Sequence, residues 1–401
     1  MDKPAILGGK PVREGKIEVH GIGVSLYDYN EIANVKAVIE EKSPFRYYGP
    51  NVLGMAERFE QLFANYIGVK YALAVSSGSA ALHIALAALD IGLGDEVLVT
   101  PLSWISDGFA PIWVNAKPVF IDIDYHTLNI SPKEIEKNIS EKTKAIIVVH
   151  YLGYPANMDE IMEVAEKHGL YIIEDASHAH GAKYKGKMIG SIGDIGVFSC
   201  QLHKIITSGE GGILTFKDEE IYEKAYRFHD LGMFMHKPPF KSIGFQYRIT
   251  EVQAALLYTQ FNKIDFILSR LRENGKYLEK RLDEELKEYI RYRVEEPDIR
   301  QTYYSFPIEI KWERLKIDIQ YFIKAMLSEG IPVGRINMPM YNYNAFFNKC
   351  IVPYSNGKCI NAEKAYDRWI TLPTAPNIFK EDLDDIVNAL KKVLNYFTKQ
   401  L

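Results

Sequence analysis

The chain has 401 residues, 47% hydrophobic and 25% charged, which excludes a disordered protein and leaves ample length for a large core. Its 48 Lys plus Arg and 52 Asp plus Glu leave a formal net charge of -4 with the signs well mixed, which gives no reason to expect nucleic acid or an anionic membrane as a partner. With no signal-peptide pattern after Met1, no apolar run of bilayer length and three scattered cysteines (Cys200, Cys350, Cys359), a reducing cytoplasm and no disulfide framework are expected.

In chain order, Tyr71 to Val75 reads as a strand, followed by a Ser-Gly turn and a helix over Ala80–Ala88. Further strands are expected at Glu96–Thr100, Lys117–Ile123 and Ala145–Val149. Asn157 stands three residues before Glu160, a capping arrangement that opens a helix to Lys167, closed at Gly169. Leu170 to Ile173 is an apolar strand running into Glu174-Asp175, and Ile195–Ser199 and Gly212–Phe216 are two more. This alternation predicts an α/β fold around a mostly parallel sheet. Past Lys237-Pro238-Pro239-Phe240 the order changes. One or two long helices span Ile249 to about Leu286, followed by a Tyr303–Ile310 strand, an Ile317–Ser328 helix, an Ile331–Ile336 strand and a Glu381–Phe397 helix. The expected division is an N-terminal arm over 1–25, a large α/β domain over 26–265 and a small α+β domain over 266–401.

Four features fall at ends of predicted strands, where open α/β sheets place their ligands. Ser76-Ser77-Gly78-Ser79 precedes a helix, so its N–H groups and hydroxyls suit a phosphate, although the same residues serve as a plain helix cap. Trp104 could stack on a planar cofactor or belong to a core or interface. Asp175 ends a buried strand and needs a partner; a protonated pyridine nitrogen is one, and a cap on the following turn is the plainer alternative. His178 and His180, taken with His150, leave a metal site as an alternative, but the spacing lacks a third regular ligand. Finally, Lys204 leaves an apolar strand that ends at Ser199 and enters the turn Gly209-Glu210-Gly211-Gly212; a desolvated lysine there is a nucleophile or base, an exposed one an ordinary loop residue.

In this order and strand context, the four resemble the DegT/DnrJ/StrS family of sugar aminotransferases. The resemblance extends through Tyr48-Gly49-Pro50, Gly94-Asp95-Glu96-Val97, Pro118-Val119-Phe120-Ile121-Asp122, Val149-His150-Tyr151-Leu152-Gly153 and Tyr247-Arg248-Ile249-Thr250-Glu251. It implies the type I fold of pyridoxal-phosphate (PLP) enzymes, with Lys204 as the lysine bonded to PLP, five residues after the phosphate-binding Ser199. It further implies Asp175 on the pyridine nitrogen, Trp104 on the ring, and Gly78 and Ser79 in the phosphate cup. His178 stands near the phenolic oxygen, where the family commonly has Gln. Gln246 falls where the family usually has an Asn that completes the neighbouring subunit's phosphate cup, so a homodimer with shared sites is implied.

The implied reaction is amino-group transfer from glutamate or glutamine to a ketone. The opening Pro4-Ala5-Ile6-Leu7-Gly8-Gly9 and the Gln201/Lys204 spacing are similar to the branch containing scyllo-inosose aminotransferases and 3-amino-5-hydroxybenzoate synthase, which favours a free keto-sugar or keto-cyclitol over a nucleotide-linked sugar. Tyr47, His150, Tyr151 and Arg335 are candidate pocket residues, each with an equal structural alternative. A dehydratase branch has His in place of the lysine; Lys204 argues against it, although His203 is adjacent. A non-catalytic sensor on the same fold would be favoured by loss of that lysine or by an appended DNA-binding helix pair, and the sequence has neither.

Overall fold

A computed structural model describes residues 2–19, 21–349 and 359–398; Cys350 lies outside them, while Cys200 and Cys359 are buried free thiols. The strands in chain order are β1 (Tyr71–Val75), β2 (Glu96–Val99), β3 (Lys117–Phe120), β4 (Thr143–Val149), β5 (Tyr171–Asp175), β6 (Lys183–Tyr184) and β7 (Lys187–Met188). They continue with β8 (Ile195–Ser199), β9 (Gly212–Phe216), β10 (Ile290–Tyr292), β11 (Ile299–Arg300), β12 (Phe306–Ile310), β13 (Gly334–Arg335) and β14 (Trp369–Leu372).

Seven strands form the main sheet in the order β1-β9-β8-β5-β4-β2-β3. Pairing is parallel from β8 through β5, β4 and β2 to β3, and β9 runs antiparallel to both β8 and β1. The strands are apolar on both faces because helices cover both sides. Along β4, Ile146 and Val148 feed one core with Phe59, Phe63 and Phe198, while Ala145, Ile147 and Val149 feed the other with Leu73, Ile84 and Leu86. This is the two-residue alternation of a strand.

A third core lies under the antiparallel sheet β10-β12-β14-β13 and the helix Lys380–Phe397. The apolar stretch after Ile249 resolves into two helices, Glu251–Phe261 and Ile264–Glu285. The longer one links the cores: Ile264, Ile267 and Leu271 pack with Phe261, whereas Leu278 and Leu282 pack in the third core.

Several expected strands are shorter in the structure: Glu96–Thr100 ends at Val99, Lys117–Ile123 ends at Phe120, and two later ones shrink further. The Tyr303–Ile310 strand begins only at Phe306, because Tyr303 has φ 56°, a left-handed conformation that interrupts an extended run. Of Ile331–Ile336 only Gly334 and Arg335 pair, since Pro332 has no N–H to give a ladder.

Candidate active site

The edge formed by the C-terminal ends of β1, β2, β5 and β8 gathers the four sequence features. After β1, the helix Gly78–Ala88 starts with the Ser77 hydroxyl accepting from the Ala80 N–H at 3.0 Å. The first N–H groups of a helix have no intrahelical acceptor, so those of Gly78 and Ser79 are available to a ligand. Ser79 Oγ is 2.7 Å from Ser106 Oγ, and a Cβ on Gly78 would lie 2.8 Å from the Ser199 Cβ. The turn therefore presses against the end of β8, and only glycine fits.

Glu174 and Asp175, adjacent at the end of β5, have different fates. Glu174 is fully buried and accepts from the N–H groups of Gly190 (2.9 Å), Ile192 (2.7 Å) and Gly193 (2.7 Å), and it pairs with His150 Nε2 at 3.2 Å. These donors hold its carboxyl below the usual carboxylate range despite burial. His150 is spent in the same network: its Nδ1 accepts from the Ala156 N–H at 3.1 Å, and the ring is fully buried. Its geometry is that of an interior brace. Asp175, 5% exposed, accepts at Oδ1 from the Ser177 N–H at 2.9 Å, the one N–H donor its carboxyl has among the described residues.

Lys204 follows β8 on a turn in which its N–H donates to the Gln201 carbonyl at 2.9 Å. Its Nζ lies 5.4 Å from the centre of the Tyr304 ring. His178 stacks on the same tyrosine, its ring 4.3 Å from that of Tyr304 with planes 15° apart. Burial first, and then the Lys204 charge, push His178 well below the ordinary histidine range. Trp104 is 66% exposed, a large ring left open to solvent after β2. His180 instead turns inward against Phe63 and Phe198, and burial with the Lys204 charge pushes it down to about 3. Among the described residues no group of three or more His, Cys, Asp or Glu is arranged to hold a metal.

The remaining sequence candidates are more dispersed. Tyr151 is buried, its ring 6.2 Å from His178, and its hydroxyl donates to Asn337 Oδ1 at 2.7 Å. The Tyr47 hydroxyl meets His229 Nε2 at 3.1 Å and its ring stacks on His236. The Arg335 guanidinium lies over the Tyr366 ring at 4.2 Å and 3.4 Å from Asp367. Gln246 is exposed, in a bridge with Asp230. Sequence reasoning missed Ser106, Tyr304 and Asp107. Asp107 had a readable signal: it is the lone charge between Glu96 and Lys117.

The model of the DegT/DnrJ/EryC1/StrS aminotransferase family matches residues 27–391. Among curated relatives, GDP-perosamine synthase of Escherichia coli O157:H7 is 34% identical over 337 residues, covering 84% of this chain and 89% of the relative. The L-glutamine:2-deoxy-scyllo-inosose aminotransferase of Streptomyces paromomycinus is 33% identical over 370 residues, covering 84% and 86%. Among solved structures, an aminotransferase from Psychrobacter cryohalolentis superimposes with a TM-score of 0.87 at 31% identity, covering 92% of this chain and 98% of that one. The fold is thus that of the PLP-dependent aminotransferases, as the resemblance implied, and the chain belongs to the DegT/DnrJ/EryC1/StrS family as a PLP-dependent aminotransferase.

Proposed function

We propose that this aminotransferase moves an amino group from glutamate or glutamine to a keto-sugar or keto-cyclitol, with Lys204 bonding the cofactor and Asp175 pairing with its ring nitrogen. The observation that carries this reading is the meeting of Lys204, Asp175 and a hydroxyl-lined helix N-terminus at one sheet edge. The residues fit PLP by chemistry. A phosphate dianion suits the free N–H groups of Gly78 and Ser79 and the hydroxyls of Ser79, Ser106 and Ser199. A pyridinium suits Asp175, and a flat ring suits the open face of Trp104. In this reading Gln246 reaches the phosphate cup of a second subunit in a cytoplasmic homodimer. The arm (1–25), large domain (26–265) and small domain (266–401) are the parts of each subunit.

When bound, PLP supplies the electron sink that makes a carbon-bound proton mobile. The chain moves that proton. Lys204 Nζ would hold the cofactor and, when free, would take the proton from the donor's α-carbon and carry it. The same transfer in reverse delivers hydrogen to the acceptor's former carbonyl carbon. His178 has a defined tautomer: Nδ1 accepts from the Leu152 N–H at 3.4 Å, so the neutral ring carries its hydrogen on Nε2. It can then donate to the phenolic oxygen without adding charge. Tyr151 supports His178 from behind; Tyr47 and Arg335 remain candidates for the acceptor side.

Similarity to GDP-perosamine synthase favours a second reading, in which the acceptor is a nucleotide-linked keto-sugar. Incubating the protein with each donor and with free keto-cyclitols, free keto-sugars or nucleotide-linked keto-sugars, followed by mass spectrometry of the products, tests both. Amination of a free ketone supports the first reading. Amination only of nucleotide-linked substrates supports the second, and no amination of any overturns both.

A further inference from the structure

Asp107 sits in the first turn of the helix Ser106–Trp113 and is 1% exposed. Its Oδ2 accepts from the Ser103 hydroxyl at 2.5 Å, but its Oδ1 is buried without a hydrogen-bond partner among the described residues. An ionised carboxylate with one oxygen stranded in this way loses solvation and recovers nothing. The Asp175 carboxyl at the end of β5 acts on it as a neighbouring charge and hydrogen-bonding group, and Lys204 from the loop after β8 is the cation that acts on it. Two buried carboxyls in contact do not both ionise.

Burial decides which of the two keeps the charge: Asp107 is 1% exposed and Asp175 5%, so the proton sits on Asp107. Asp175 Oδ1 is already fixed as an acceptor by the Ser177 N–H. On Asp107 the acceptor role belongs to Oδ2, so the atom free to carry hydrogen is the stranded Oδ1. We infer that Asp107 is a protonated carboxylic acid whose Oδ1–H donates to the Asp175 carboxylate, so that the two form a one-proton pair behind the cofactor site. Burial and the neighbouring Asp175 both push the Asp107 carboxyl well above its usual range, in agreement with the pairing.

The consequence for the cofactor rests on the assignment of Asp175 to the ring nitrogen. An Asp175 that shares its charge with a donor behind it is a weaker base toward the ring, and it is held in one orientation. Asp107 is then a positioning residue that acts through Asp175.

Infrared difference spectroscopy of the cofactor-free protein tests the pair directly. A protonated-carboxyl stretch is expected near neutral pH, moved by exchange into deuterium oxide and lost in Asp107→Asn. Absence of the band from the wild type, or its undiminished survival in Asp107→Asn, overturns the inference. Should Asp107→Asn not fold, Ser103→Ala serves instead: loss of the donor to Oδ2 shifts the band, and an unshifted band overturns the inference. With PLP bound, Asp107→Leu should move the pH midpoint of the cofactor's absorption by about one unit, whereas Asp107→Asn, which keeps a donor, should restore it. Equal midpoints in all three proteins overturn the coupling to Asp175 and leave the infrared result to judge the pair.

Discussion

The Tyr304 ring meets two groups of the site: His178 stacks on it at 4.3 Å, and Lys204 Nζ sits 5.4 Å from its centre. One side chain from the loop before β12 thus neighbours both the lysine and the imidazole. An aromatic stack of this kind contributes about 1 kcal/mol. Tyr304→Leu should therefore lower kcat by about 5- to 10-fold and weaken PLP retention, while Tyr304→Phe keeps most of the activity. Steady-state kinetics with cofactor titration checks this; equal losses in both variants would contradict a role for the ring.

The pair Arg46–Glu60 is nearly dry, with contacts of 3.0 Å, and Glu60 also accepts from the Ala74 N–H at 2.7 Å. It ties the segment before the helix Met55–Ile67 to β1, whose end opens the phosphate turn. Removing one partner strands the other charge, which costs about 3–5 kcal/mol. Glu60→Ala should lower the apparent Tm by several degrees, and more than Glu60→Gln does. Differential scanning calorimetry decides.

Gly275 sits within the long helix Ile264–Glu285, where alanine is ordinarily preferred by about 1 kcal/mol. Here a Cβ would stand 2.2 Å from the Tyr303 ring. Gly275→Ala should therefore destabilise the protein by about 1–3 kcal/mol, reversing the usual sign. Adding Tyr303→Ala should relieve the strain, and the double variant's Tm reads the coupling.

His180 is buried neutral, with its folded pKa pushed down to about 3, below the unfolded value near 6.5. The folded state thus binds fewer protons than the unfolded one. This stability contribution is full above pH ~6.5 and is lost as pH falls toward 3. The Tm should decline below pH ~6.5, and more gently in His180→Leu. Parallel pH curves for the two proteins would contradict this account.

Much of the site was legible because it occupies strand ends with strong local signals. β1, β8 and β9 run between the residues their apolar pattern predicted, and Asn157 caps its helix as read. What escaped was set by tertiary contact. Tyr304 looked like strand interior until Tyr303 adopted a left-handed backbone and left it in a loop. Asp107 drew no reading from the sequence; only its burial and the neighbouring Asp175 give it meaning. His150 and Glu174 show the converse, since two adjacent strand ends can hide a structural pair that resembles a site from sequence alone.

The central claim is that Lys204 carries the cofactor. Loading the protein with PLP, reducing the lysine–cofactor bond with borohydride and mapping the modified peptide by mass spectrometry tests it most directly. The account predicts one phosphopyridoxyl group per chain, on Lys204, and none in Lys204→Ala. A label on another lysine, or an undiminished label in Lys204→Ala, would contradict it.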